Sequence, residues 1–182
     1  MSMVSQDSVL DAAQTMFLRD GWLDLRALAA ETGIGRATLY RHYEGREHLL
    51  GEVLWRLMEP TMQQVSREVR AEGHSGADAV AENIRRCLTI SASLPQMRAM
   101  MDRDAETTMR VMASKHGVVQ RRLIASVAGM ISQEIGDTGA IPLETLAYAV
   151  VRVGESFYYR ELITGDAPDI DAAALIIRKL LA

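Results

Sequence analysis

The feature that most constrains the fold is the run from Leu25 to Tyr43. Leu25, Leu28 and Ala29 recur at helical spacing and make the buried stripe of a first short helix. Asp24 stands where an N-cap accepts from backbone N–H groups that have no partner inside the helix. Gly33 stands where that helix stops, because glycine enters the left-handed C′ conformation cheaply. Gly35 then caps a second short helix, on which Leu39 and Tyr43 lie four apart and face inward. The run reads as two short helices joined by a tight turn.

That inward pair leaves Arg36, Ala37, Thr38, Tyr40, Arg41 and His42 on the outer side of the second helix. Such a set suits a duplex. Arg36 and Ala37 sit at the helix start, where a recognition helix meets base edges in the major groove. Arginine can pair with a guanine edge there, and alanine can touch a thymine methyl. Thr38, Tyr40 and His42 carry donors that can hold phosphates and fix register, and Arg26 on the first helix points toward the same groove. A plain three-helix packing unit with solvated arginines is the other reading of the same residues. The glycine turn, the spacing and the Thr/Tyr/His trio occur jointly, which favours DNA.

The run Gly33-Ile34-Gly35-Arg36-Ala37-Thr38-Leu39-Tyr40-Arg41-His42-Tyr43-Glu44-Gly45-Arg46-Glu47-His48-Leu49 resembles the signature of the TetR family of bacterial transcriptional repressors. That signature reads Gly-Val-Ser-x-Gly-Thr-Leu-Tyr-x-His-Phe, then a turn, then Lys-Glu-x-Leu. Thr38, Leu39, Tyr40, His42, Glu47 and Leu49 match outright, and Ile34 and Tyr43 keep the packing roles of valine and phenylalanine. Three positions depart. Gly35 replaces a serine whose hydroxyl contacts phosphate. Arg46 replaces lysine, which keeps the charge but makes it a planar fork. The loop before Asp24 is shorter than usual and lacks a Thr/Ser pair. The resemblance implies an all-α chain, with a helix-turn-helix DNA-binding domain over 1–46 and a helical ligand-binding and dimerisation domain over 47–182. It also implies a repressor that binds palindromic operator DNA as a dimer and is released by a small-molecule effector. With the residue reading above, the DNA-binding set is Arg26, Gly35, Arg36, Ala37, Thr38, Tyr40, Arg41, His42 and Arg46.

Charge supports local contact rather than general adhesion. The net charge is −4, and residues 1–56 hold six Arg against eight Asp and Glu. From Arg26 to Arg46 there are four Arg against Glu31 and Glu44. A positive field so confined suits specific docking and only modest affinity for random DNA. The one cysteine, Cys87, excludes an intramolecular disulfide and sits on an apolar helical face, as a buried structural thiol would. The N-terminus shows no basic region followed by an apolar run, and no stretch approaches the roughly 20 apolar residues of a membrane span. A cytoplasmic protein with no membrane partner is expected.

Along the rest of the chain no strand alternation and no repeat is visible. A first helix is expected from Gln6 to Asp20, ended by Gly21, with Trp22 and Leu23 covering the base of the two-helix unit. A long periodic stretch runs from Arg46 to Val69, where Pro60 marks either a bend or a new start. In TetR relatives such a linking helix carries the signal from ligand domain to DNA heads, so the resemblance makes residues 46–70 the lever. Gly73-His74-Ser75-Gly76 is a break, and Ser75 with Asp78 approximates a capping box. Pro95 opens a short helix. Another helix is expected from Val118 to Ile135, followed by the loop Gly136-Asp137-Thr138-Gly139. The last two helices, Pro142 to Thr164 and Asp169 to Leu181, are joined by a short turn and should be antiparallel neighbours. They carry more apolar face than one small domain covers, so a second copy is expected to pair over residues 142–181. The homodimer then sets two recognition helices one DNA turn apart, roughly 34–36 Å.

Effector candidates fall in two groups. Met97, Met101, Met109 and Met112, with Trp55, Met58 and Met62 on the linking helix, form either a pliable apolar cavity or ordinary core. Arg152, Glu155, Ser156 and Tyr159 are polar positions in an apolar helix, with Arg152–Ser156 and Glu155–Tyr159 at i,i+4. They describe a small-molecule site or a satisfied dimer-interface network. Residues 152–165 resemble a TetR subgroup that controls degradation of lactone quorum-sensing signals, which implies a lactone-like effector. No cofactor is expected. An enzyme is disfavoured: His42, His48, His74 and His116 show no metal-ligand spacing, Asp102 and Asp104 face different sides of a helix, and no phosphate-cradling glycine motif is present. A helical protein-binding adaptor would use the apolar last helices but leaves the Thr38/Tyr40/His42 register unexplained.

Overall fold

A computed structural model of the chain describes residues 6–114, 117–136 and 138–182, without the side chains of Gln6 and Arg36. His116 and Asp137 lie outside the described residues. These fold into eleven helices, with no strand among them, and divide into two compact units. One is Met1–Met58 with Leu94–Gln120, and the other is Glu59–Ser93 with Arg121–Ala182.

The first unit is built on α1 (Gln6–Asp20), α2 (Leu25–Thr32) and α3 (Arg36–Tyr43), the three helices expected from the sequence. Asp24 caps α2 as anticipated: its carboxylate accepts from the Arg26 N–H at 2.7 Å and the Ala27 N–H at 3.2 Å. Gly33 ends α2 in the left-handed region, at φ 71. Glu44 closes α3 in the same region at φ 53, an uncommon conformation for a residue with a Cβ. Val9, Ala13, Met16 and Phe17 of α1 are buried, as are Leu23, Leu28 and Leu39. α6 (Pro95–Arg103) and α7 (Ala105–Ala113) also belong to the unit, with α6 packed on α1 and on α7. The α1–α6 approach is close at Gly21, where the Gln96 side-chain amide donates to the Leu18 carbonyl at 2.9 Å.

α4 (Arg46–Ala71) continues through Pro60 as one helix, so no new start occurs there. Proline removes the N–H that would bond the Arg56 carbonyl. Arg56 and Pro60 are both exposed, so water can supply that bond.

In the second unit α11 (Ile170–Leu181) packs against α5 (Gly76–Ser93) and α9 (Leu143–Tyr158). The core joins Val80 and Ala81 of α5, Val127 and Ile131 of α8 (Val118–Glu134), Leu146, Ala147, Val150 and Val151 of α9, and Ile177 of α11. Two local expectations are corrected. Asp78 does not serve Ser75 in a capping box; its carboxylate bonds the His74 imidazole and pairs with Arg178 at 2.7 Å, since charged donors hold a carboxylate more strongly than a neutral backbone N–H. The helix expected to reach Thr164 stops at Tyr158, and α10 (Arg160–Thr164) follows Tyr159. Tyr158 and Tyr159 are both buried, with ring centroids 4.9 Å apart and edge-on.

Candidate nucleic-acid interface

α3 presents two unlike sides. Leu39 and Tyr43 are 2% and 7% exposed and fasten the helix to its unit. Ala37, Tyr40, Arg41 and His42 are exposed, Gly35 before them is exposed, and Thr38 is half-buried. Tyr40 is 55% exposed, which no packing role requires of so large a side chain. The backbone of Arg36 opens the helix, while its side chain lies outside the described residues. Gly35 caps α3 without a side-chain hydrogen bond, as glycine must. Arg26 on α2 is exposed and lines the same open groove as Tyr40. Backbone donation from Arg26 and Ala27 holds the Asp24 carboxyl below its usual range.

That groove, about 640 Å³, also reaches Trp22, Arg46 and Arg103. The Arg46 guanidinium carbon lies 4.6 Å from the centre of the Trp22 ring, and that of Arg103 lies 5.2 Å from it. Sequence reading placed Trp22 as a cover and Arg46 on DNA, but missed Arg103. It is the last residue of α6, far along the chain, and no local pattern ties it to residue 22.

The effector candidates sort by unit. In the first, Trp55, Met97 and Met112 are buried, and Met58, Met101 and Met109 are half-buried. In the second, Glu155 and Tyr159 are buried, Met62 and Arg152 are half-buried, and Ser156 is exposed. The expected Arg152–Ser156 pairing is replaced, while the Glu155 charge does act on the Tyr159 hydroxyl four residues on. Arg152 donates to the Glu155 carboxylate at 2.6 Å, and the Ser156 hydroxyl turns back to the Val153 carbonyl at 2.9 Å. A guanidinium prefers a carboxylate to a neutral hydroxyl. Burial pushes the Tyr159 hydroxyl well up, so it is neutral at any physiological pH. The Tyr158 hydroxyl hydrogen-bonds Ser91 at 2.9 Å. Cys87 lies beside Val65, Val69 and Ala79, and burial pushes its thiol up to about 12, which makes it inert as a nucleophile. Asn83 was also missed. It is 2% exposed and its amide N–H donates to the Ala79 carbonyl, while its Oδ1 is buried with no donor among the described residues. No periodicity separates such an asparagine from a solvated one.

A glycine-hinged helix pair with an exposed polar face, joined to a mostly helical remainder, defines a helix-turn-helix DNA-binding regulator. Residues 9–53 match the family of bacterial regulatory proteins, tetR family, and residues 75–182 match the tetracyclin repressor-like C-terminal domain. The chain belongs to the TetR family of transcriptional regulators, with a DNA-binding helix-turn-helix and a ligand-binding domain. No curated protein matches it. Its fold is similar to that of the R. erythropolis transcriptional repressor QsdR from the TetR family, at 24% identity, 100% of this chain, 96% of that chain and a TM-score of 0.87. It is also similar to the multidrug binding protein EbrR complexed with imidazole, at 20% identity, 96% of this chain, 88% of that chain and a TM-score of 0.55. TetR-family regulators are generally non-enzymatic and bind DNA and small molecules as dimers. Among the described residues no helix is long and apolar enough to cross a membrane.

Proposed function

We propose that the chain is a repressor that binds palindromic operator DNA as a homodimer through Arg26, Gly35, Arg36, Ala37, Thr38, Tyr40, Arg41, His42 and Arg46. The observation that carries this reading is the exposed side of α3: Tyr40, Arg41 and His42 face water while Leu39 and Tyr43 anchor the helix beneath them. Dimerisation through residues 142–181 is favoured by large apolar side chains left in water there, Tyr148 at 53% and Leu175 at 58% exposure among them. Division into domains at residues 46 and 47 and a cytoplasmic location belong to the same proposal.

The effector is small, apolar and lactone-like in this reading. Candidate contacts are Trp55, Met58, Met97, Met101, Met109 and Met112 within the first unit, and Met62, Arg152, Glu155, Ser156 and Tyr159 within the second. Ligand can shift the protein between DNA-competent and incompetent states only by the difference in its affinity for the two.

Selection from random duplexes with the purified full chain tests the DNA half. It should enrich a palindrome with half-sites one turn apart, about 10 base pairs, and a Thr38→Ala/Tyr40→Phe/His42→Ala variant should lose binding. Absence of enrichment rejects it. Titration calorimetry with γ-lactones and acyl-homoserine lactones of graded chain length tests the effector half, and no heat across the series rejects the lactone assignment.

A further inference from the structure

We propose that Arg103 is a DNA-backbone contact: with Arg46 and the Trp22 indole it forms a seat for one phosphate of the duplex that lies against α3. The inference rests on the DNA-binding reading above and extends the contact surface to a helix outside the helix-turn-helix.

The first support is position. Arg46 and Arg103 share a groove with Arg26 and Tyr40, so the two stacked guanidinium groups lie beside the face assigned to DNA. The second is charge. Three carboxylates line the groove; each has a contact besides the groove arginines, and Asp24 also feels the charges of Arg26 and Arg103. Asp24 accepts from the α2 N–H groups, Glu47 pairs with Arg110 at 3.2 Å, and Glu44 lies 3.5 Å from the His48 imidazole. The side chains of Arg26, Arg46 and Arg103 make no ion pair or hydrogen bond with any described residue. The third is geometry. Contact with the indole holds a guanidinium by cation–π attraction, and its N–H donors remain available at the edges. A phosphodiester offers the paired oxygens that a fork binds bidentately. A free phosphate would satisfy the same donors. The duplex is favoured because its backbone reaches this groove whenever Tyr40 and Arg26 touch DNA.

The test is the salt dependence of binding, measured by fluorescence anisotropy with the full chain on its selected duplex and on a scrambled one. Each phosphate contact contributes roughly 0.9 to the slope of log K against log salt between about 50 and 200 mM. Arg103→Gln should make the slope shallower by roughly that amount per protein copy and weaken both duplexes by the same factor. Arg103→Lys should restore the slope, and Arg103→Ala should repeat the Gln result, with melting curves unchanged throughout. A steep wild-type slope left unchanged in both the Gln and Ala variants overturns the phosphate seat while leaving the DNA reading standing. A wild-type chain that binds neither duplex overturns both.

Discussion

Positions 21 and 33 both hold glycine at positive φ, yet they constrain the fold differently. At Gly33 the angle is 71° and a Cβ would meet nothing within 4 Å, so only the backbone resists a side chain. Gly33→Ala should therefore cost about 1–2 kcal/mol, the price of a left-handed L-residue. At Gly21 the angle is 65°, and a Cβ would also lie 2.9 Å from the Ala99 Cβ and 3.4 Å from the Gln96 carbonyl oxygen. Neither atom is the end of a flexible side chain, so α1 and α6 must separate. Gly21→Ala should lose a further 1–3 kcal/mol or so beyond the Gly33 change, as overpacking does. Urea unfolding of the two variants measures this. Equal losses would mean that the α1–α6 approach yields without cost.

At the scale of elements, α5 is tied by a charge cluster centred on Glu82. Arg85 donates to it at 2.8 Å, Arg86 joins it, and Arg86 also bonds Glu72 at 2.8 Å. The Arg85 hydrogen bond, then that of Arg86, outweighs burial and holds the Glu82 carboxyl at about 2, against an ordinary 4.5. A depressed carboxyl stabilises the fold above the unfolded value and ceases to do so as pH falls through the folded one. The melting temperature should therefore fall between pH 4.5 and about 2, and Glu82→Gln should lower it at pH 7 while flattening that segment of the profile. Identical acid profiles would remove Glu82 from the cluster's stabilising role. Such ties show what was legible in the sequence. The extents of α1, α2 and α3 were readable because caps, glycines and apolar spacing act within a few residues. The break at Tyr159, the choice of Glu155 by Arg152 and the stacking of Arg103 on Trp22 were not. Each depends on which distant element supplies burial or charge. The outer face of α3 was legible for a third reason: once Leu39 and Tyr43 are inside, helical geometry puts Tyr40, Arg41 and His42 outside.

For the whole molecule, the proposed dimer depends on the outer side of α11. Ala173, Ala174 and Ile177 are buried against the unit, while Leu175, Ile176 and Leu180 are 58%, 43% and 41% exposed. A helix that is apolar on both sides needs a second surface to cover it. If that surface is another copy, two-fold symmetry makes each contact occur twice. Burying one leucine stabilises by about 1.5–3 kcal/mol. Leu175→Asp should therefore remove roughly 3 kcal/mol or more per dimer and raise the dimer dissociation constant at least about a hundredfold. Leu18→Asp is the control, because Leu18 is 45% exposed on α1 and lies outside residues 142–181. It should leave assembly untouched. Sedimentation velocity should give a dimer for the parent chain and the control, and a monomer for Leu175→Asp at micromolar concentration. The monomer keeps its α3 face but loses the second half-site, so a palindrome should bind it no better than a single half-site does. A variant that still sediments as a dimer would place the interface elsewhere on the chain, and a monomer that keeps full affinity for the palindrome would detach DNA recognition from assembly.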